Sequence, residues 1–388
     1  MNRGIYLLSI AGFSILTSEF LIVGLLPGIA TDLEVSISTA GILVTLFSVA
    51  IVASGPFLTA ALSRVSRKWL LVAIMAVFAM SNGLAAIADN YITMAVARLI
   101  PAVFLPVFWG MADAAAVDLA GPAKAGRAVA IVTLGAALGS VLGVPLGVIV
   151  GEIFGWRAGF GILAGLCLLK TAMLVALPEC DGNSEDHGFA QQLALLKDPF
   201  LVLNTVLSAL VFCSMFTAYT YMADILATLA NLDGDWIGWT MMAFGGVGLA
   251  GNYLGGKAVD TAPMGATIVF IAILATGIVV TVAMADLTIG LVIGLAAWGI
   301  AQAALTVICS VRMIKSAMST PAFAASLNVM GANVGIAVGA FAGGQAIEVA
   351  GLASIGWASA GFAMLSALLA GVLAGAAKRA NVDDTTPA

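Results

Sequence analysis

The sequence predicts an all-α membrane protein of twelve transmembrane helices in two six-helix bundles. Three observations carry that prediction. The 388-residue chain is 62% hydrophobic and 9% charged, with a mean hydropathy of +1.13, where a soluble chain carries about 25% charged residues. Apolar runs of about 20 residues, enough to cross a bilayer, recur through the whole chain between polar breaks. The second half also repeats features of the first. GAALGSVLGVPLG at 135–147 and GANVGIAVGAFAGG at 331–344 both place glycine at every fourth position, and GWRAGF at 155–160 is echoed by GWASAGF at 356–362.

Taken in order, the spans of the first half are 5–27, 39–62, 70–88, 91–118, 125–150 and 157–177. Those of the second half are 200–226, 237–258, 265–285, 288–311, 321–348 and 355–377. The opening run is too long for a signal-peptide core and contains Glu19, so it is read as a retained first span. ECDGNSEDHGFAQQLALLKDP, residues 179–199, is the only long polar connector. It divides an N-terminal bundle, 1–178, from a C-terminal bundle, 200–388, that ends in a short tail. Within it, FAQQLALLK has the pattern of a short amphipathic helix on the membrane surface. One set of loops collects Arg3, Arg64, Arg67, Lys68, Lys124, Arg127, Lys197, Lys257, Arg312, Lys315, Lys378 and Arg379, while the opposite set holds only Arg157. That asymmetry predicts a cytoplasmic linker and two cytoplasmic termini, and it agrees with an even number of spans.

The composition argues against other classes. No basic patch interleaved with aromatics suggests nucleic acid. The cysteines, Cys167, Cys180, Cys213 and Cys309, show no CxxC spacing, and His187 has no partner at ligand spacing, so neither a metal nor a cofactor is expected. No GxSxG, HExxH or phosphate-binding glycine loop is present, so the chain is not read as an enzyme. Nor is there a filter-like repeat of the channel kind.

The two glycine ladders need an explanation, because glycine is a poor helix former. Gly135, Gly139, Gly143 and Gly147 lie along one stripe of the fifth span, with Pro145 between the last two; Gly331, Gly335, Gly339 and Gly343 do the same on the eleventh. In lipid, where apolar burial gives little drive for association, such stripes let backbones approach closely. Static packing and a sliding contact between bundles are both compatible with this. The matching positions in the two halves favour the sliding contact, with glycine-rich eighth span residues such as Gly251 and Gly255 as its partner surface.

Several stretches together resemble the major facilitator superfamily, and within it the twelve-span drug:proton antiporters of the branch that holds bacterial sugar, arabinose and purine efflux pumps. They are TSEFLIVGLLPGIATDLEVSISTAG (17–41), GPFLTAALSRVSRK (55–68), ARLIPAVFLPVFWG (97–110), GVPLGVIVGEIFGWRAGF (143–160), MFTAYTYMADIL (215–226), GNYLGGKAVD (251–260) and ASLNVMGANVGIAVGAFAGG (325–344). The first cytoplasmic signature departs from the family pattern: Thr59, Ser63 and Ser66 replace Gly, Asp and Gly, while Arg64, Arg67 and Lys68 remain. Lys257 and Asp260 keep the counterpart in the second half. The antiporter signature on the fifth span has the form Gly143, Pro145, Gly147. The resemblance implies a monomeric inner-membrane carrier in a bacterial cell that exports small organic molecules (sugar, nucleoside or drug-like) in exchange for protons, by alternating access. Proton-linked uptake, facilitated diffusion and a non-transporting sensor are the alternatives. It further implies that the first, fourth, seventh and tenth spans line the cavity, and that the second and eighth face the eleventh and fifth across the bundle boundary.

Ionisable groups inside a bilayer are costly and point to function. Counting along the helices at about 1.5 Å per residue brings Glu19 and Arg98 to a similar depth, so the two are expected to interact, either as a proton-exchanging site or as a fixed ion pair. Asp113 and Lys170 share an inner depth. They are expected to pair, unless Asp113 serves as a second proton site. Candidate cavity residues are Phe108 and Trp109 on the fourth span, Tyr219, Tyr221 and Asp224 on the seventh, Trp298 and Gln302 on one face of the tenth, and Asn328 and Asn333 on the eleventh.

Overall fold

The computed structural model describes residues 2–62, 65–121, 124–178, 198–316 and 321–383. Among them are twelve long helical runs. In the first half these are α1 (Arg3–Asp32), α2 (Ile37–Leu62), α3 (Arg67–Ala86), α4 (Tyr91–Ala120), α5 (Ala125–Leu138, continued through Gly139–Gly143 and Val144–Phe154) and α6 (Trp156–Val175). In the second they are α7 (Pro199–Tyr219, continued through Met222–Asp224 and Ile225–Leu229), α8 (Gly234–Thr261), α9 (Pro263–Ala283), α10 (Thr288–Ser316), α11 (Pro321–Ala350) and α12 (Ser354–Asp383). Eleven are long and apolar enough to cross a membrane. The exception is α8, whose run of glycines, together with Trp236, Trp239 and Asn252, lowers its hydropathy. Predicted boundaries fall within a few residues of the observed ones, and the helices mostly run longer than the apolar cores. The expected surface helix at FAQQLALLK, His187 and Cys180 lie outside the described residues, as does Arg64.

Helices form here because hydrocarbon offers no other partner for backbone N–H and C=O groups. Their ends are marked by local chemistry. The side chain of Asn2 accepts from Gly4 N at 3.0 Å, that of Asn90 from Thr93 N at 2.9 Å and that of Asp198 from Phe200 N at 2.8 Å, each satisfying an orphan N–H of a first turn. Gly155, at φ 84°, separates α5 from α6 by itself, a positive φ that costs glycine nothing. Pro101 and Pro106 are accommodated inside a continuous α4. There Ser54 of α2 donates to the Val103 carbonyl at 2.9 Å.

The chain packs as two compact units. One comprises Met1–Glu185, Met222–Ala227 and Leu232–Met242; the other comprises Asp186–Tyr221, Thr228–Asn231 and Ala243–Ala388. Residues 222–227 and 232–242 thus group with the first unit: Gly234 lies against Glu152 and Gly238 against Ile149 of α5. Helix pairing repeats from one half to the other. In the first unit α1 packs on α5, α3 on α4, and α6 on α3 and α1; in the second α7 packs on α11, α9 on α10, and α12 on α9 and α7. Small polar residues bind the repeat together. Ser214 of α7 donates to the Ser359 carbonyl at 2.9 Å, and Ser359 of α12 returns a bond to the Ser214 carbonyl at 2.7 Å.

The glycine ladders have a different neighbour from the one expected. A Cβ on Gly135, Gly139, Gly143 or Gly147 would collide in turn with Ser9, Phe13, Thr17 or Leu21 of α1. On α11, Gly331, Gly335, Gly339 and Gly343 face the backbone carbonyls of Thr205, Ala209, Cys213 and Thr217 of α7. Gly251 and Gly255 of α8 face Ile300 and Ala304 of α10. The fifth-span stripe, expected to face the eighth span, faces α1 instead. Each faces a helix of its own half, where two rows of fourth-position residues run side by side: backbone meets backbone along α11 and at Gly135 and Gly139, and the Thr17 and Leu21 side chains fill the space at Gly143 and Gly147. Pro145 is buried just after the π-helical turn Gly139–Gly143, an irregularity common at functional places in helices.

Candidate functional site

The first unit gathers its buried charges around α1. Arg98 on α4 is 2% exposed. Its Nη1 donates to the Ser18 carbonyl at 2.5 Å and its Nη2 to the Glu19 carbonyl at 2.7 Å. The guanidinium lies over the Phe47 ring of α2, 4.3 Å from the centroid, a cation–π contact that is worth more in a desolvated place than in water. Arg98 therefore clamps the backbone of α1 and stacks on α2. It makes no ion pair within 4.0 Å with the Glu19 carboxylate, which is half-buried beside it. Ser18, next in the chain, donates to Asn82 Oδ1 of α3 at 3.0 Å.

Lys170 and Asp113 are not paired. Lys170 of α6 donates to Ser14 of α1 and sits over the Phe13 ring, 5.4 Å from its centroid. Asp113 is half-buried on α4, with no ion pair among the described residues. Equal depth was not enough, because α6 packs on α3, α1 and α5 and turns Lys170 toward α1. On α4, Phe108 is fully buried and meets the ring of half-buried Trp109 edge-on at 5.3 Å. Trp109 rests against Gly12 of α1.

In the second unit an aromatic series connects three helices. Phe216 meets Tyr219 edge-on at 5.4 Å, Tyr219 stacks on Phe244 of α8 at 6.0 Å, and Phe244 meets Trp298 of α10 edge-on at 5.4 Å. The Trp298 indole N–H donates to Gln302 Oε1 at 2.8 Å, so the expected shared face of these two is also a bonded pair. Tyr221 turns away from this series: it is fully buried and its hydroxyl donates to the Ala340 carbonyl of α11 at 2.8 Å. Asn328 donates to Ser310 Oγ at 3.1 Å and Asn333 to the Val329 carbonyl at 3.0 Å, each leaving a buried Oδ1 without a bond among the described residues. Asp224 is half-buried in the short turn before the π-helical stretch Ile225–Leu229.

Arg312 is the residue that sequence reasoning missed. Assigned there to a loop, it is 2% exposed and lies one turn inside α10. Its Nη1 donates to Thr267 Oγ1 at 3.0 Å and its Nη2 to Ser208 Oγ at 3.0 Å, so a cation is held between α7, α9 and α10 by neutral oxygens. The signal was available: the apolar pattern of α10 continues past Arg312 to Met313 and Ile314.

Ion pairs fasten the helix ends. Arg67 pairs with Asp118, Lys315 with Asp260 at 3.1 Å, and Arg157 with Asp32 and, at 4.0 Å, with Asp89. Lys68 lies over the Trp69 ring at 5.4 Å, and Lys257 is exposed.

These features can be set against known proteins. The sequence profile described as Major Facilitator Superfamily matches residues 8–321. The chain belongs to the major facilitator superfamily. Its relatives include "Inner membrane transport protein YdhP" of Escherichia coli (strain K12), 31% identical over 353 residues and covering 90% of each chain. "Chloramphenicol resistance protein" of Streptomyces lividans is 30% identical over 344 residues, covering 87% of this chain and 88% of that one. In fold, the chain is similar to the nucleoside transporter NupG, with a TM-score of 0.78, 15% identity and coverage of 97% and 99%. It is also similar to a bacterial homolog of the human lysosomal transporter Spinster, with a TM-score of 0.77, 15% identity and coverage of 96% and 95%. This major facilitator protein is a multi-pass membrane transporter of small molecules.

Proposed function

We propose that this major facilitator protein exports small organic molecules across the bacterial inner membrane in exchange for protons, by alternating access, with Glu19 as the proton-exchanging group. The observation that carries the reading is the arrangement at Arg98. The arginine spends its two terminal nitrogens on the carbonyls of Ser18 and Glu19, and the Glu19 carboxylate is left next to a cation without being locked to it. A fixed ion pair would hold one charge state; a carboxylate beside an already anchored guanidinium can take up and lose a proton while the helices stay joined. Asp113, which also has no ion pair among the described residues, is the second candidate carboxylate. The relative described as a chloramphenicol resistance protein supports outward movement of drug-like cargo, and the clustering of Lys and Arg on one set of loops supports cytoplasmic termini. The protein acts as a monomer on this reading, with 1–178 and 200–388 as its two bundles and 179–199 as the linker.

The test is proton release from purified protein in weakly buffered detergent as chloramphenicol, nucleosides or pentoses are added, with wild type beside Glu19→Gln. Release by one cargo that vanishes in the variant is the expected result. Release that persists in Glu19→Gln moves the proton role to Asp113 or Asp224. A cargo that binds with no release at any pH refutes exchange, and uptake, facilitated diffusion or sensing takes its place.

A further inference from the structure

The pair Trp298–Gln302 fixes more than a local contact. An indole N–H is a donor only, so the amide atom facing it must be oxygen. Gln302 is thereby held with Oε1 on Trp298, and its NH2 group points the other way. That Nε2 has no partner among the described residues, and Gln302 is half-buried rather than sealed. Nearby in the packing, Tyr219 is half-buried, stacks on Phe244, and its hydroxyl also has no hydrogen bond among the described residues. The chain thus ties Trp298, Phe244 and Tyr219 into one aromatic series and sets an oriented amide donor at its end.

We infer that this corner of the second unit selects cargo that is flat, aromatic and uncharged and carries a hydrogen-bond acceptor, such as a carbonyl or nitro oxygen, for the Gln302 amide. The inference rests on the transporter reading above and narrows its cargo. A flat ring matches the half-buried Tyr219 ring at the open end of the series, whereas a polyol would leave it unused. Among the described residues, the contacts that join Tyr219, Phe244, Trp298 and Gln302 are all between neutral groups, which suits an uncharged cargo. Trp298 is a positioning residue in this scheme: it is fully buried and acts through the amide it orients.

The scheme makes a directional forecast. Trp298→Phe keeps a buried ring and removes the N–H, which frees the amide to turn and offer oxygen. The experiment is equilibrium dialysis of full-length protein in detergent with radiolabelled chloramphenicol, its arylamine counterpart in which the nitro group is reduced, and arabinose. Wild type is expected to bind chloramphenicol and not arabinose. Gln302→Met, near in volume, is expected to weaken chloramphenicol about fivefold to tenfold, the scale of one lost hydrogen bond. Trp298→Phe is expected to narrow the ratio between the nitro and amine forms. Melting curves and gel filtration establish that both variants are folded. Preference for arabinose, no chloramphenicol binding, or unchanged binding by Gln302→Met in folded protein overturns the inference. Counterflow in proteoliposomes reads the transporter reading separately: if wild type moves any of the three compounds, that reading stands whatever becomes of the aromatic corner.

Discussion

Replacing Gly339 by alanine tests whether the ladders are backbone contacts inside each half. A Cβ there would lie 2.5 Å from the Cys213 carbonyl oxygen, 3.0 Å from Thr217 N and 3.1 Å from Cys213 Cα. All three are backbone atoms, so no side-chain rotation relieves them. Carbon–oxygen packing of this kind ordinarily sits at about 3.3–3.6 Å, so α7 and α11 must part by roughly 1 Å. Separation on that scale removes a sizeable share of the dispersion along the row, and overpacking of this kind costs about 1–3 kcal/mol. Gly331→Ala should cost less, because its nearest atoms are the Thr205 carbonyl at 2.9 Å and the Thr205 methyl at 3.2 Å, and the methyl can turn aside. Gly371→Ala is the control: nothing lies within 4 Å of its added carbon, and alanine's better helix propensity, up to about 1 kcal/mol, should leave stability equal or higher. Unfolding midpoints in detergent, by heat and by SDS titration, should rank Gly339→Ala lowest, Gly331→Ala next and Gly371→Ala at or above wild type. A Gly339→Ala midpoint equal to wild type, or an equal fall in Gly371→Ala, would refute the argument.

Arg98→Lys keeps the charge but not the two-pronged reach to the Ser18 and Glu19 carbonyls; we predict a folded protein whose counterflow rate falls about tenfold or more, since a charge-assisted bond is worth ~1.5–3 kcal/mol. Among the described residues Arg312 is bonded to neutral groups alone, so Arg312→Met should stay within about 1 kcal/mol of wild type in SDS unfolding, whereas Arg312→Glu should prevent recovery of folded protein. Tyr221→Phe removes a buried hydrogen bond to Ala340 and should lower stability by about 1 kcal/mol while leaving cargo affinity unchanged in dialysis.

Apolar length made the helices legible, because the bilayer enforces length and internal hydrogen bonding together. Direction around a helix was harder to read. Glu19 and Arg98 were found from depth, and α4 does place Arg98 against α1. The same reasoning failed for Asp113 and Lys170, since depth says nothing of which neighbour a face meets. The ladders failed for the same cause: a glycine stripe announces a smooth face without naming the helix opposite. Its partner rows, Ser9, Phe13, Thr17 and Leu21, and Thr205, Ala209, Cys213 and Thr217, had the matching fourth-position spacing in plain view. Arg312 was lost because charges near a span end were counted for orientation, where helix length past the apolar core was the deciding quantity.

The two units differ in charge. Glu19, Asp113 and Asp224, the acidic residues away from span ends, all belong to the first unit. In the second, Asp260, Asp286 and Glu348 sit at helix ends or turns, and the aromatic corner is neutral. If the proton is held at Glu19 and the aromatic part of the cargo at the Tyr219–Phe244–Trp298 series, the two ligands use different side chains, and their coupling is read as a linkage between two sites. Linkage then fixes the sign. Cargo that releases a proton on binding must bind more tightly as pH rises, by up to about tenfold per pH unit for one proton, across the range where release is seen. Glu19→Gln should abolish that slope and hold the affinity near the low-pH value of wild type, because the neutral amide stands in for the protonated carboxyl and none of the aromatic contacts is touched. Chloramphenicol dialysis from pH 5 to 9 on both proteins decides it. A variant that loses the slope and binds more weakly than wild type does at low pH would mean that Glu19 touches the cargo, and the division of labour between the two sites would be wrong.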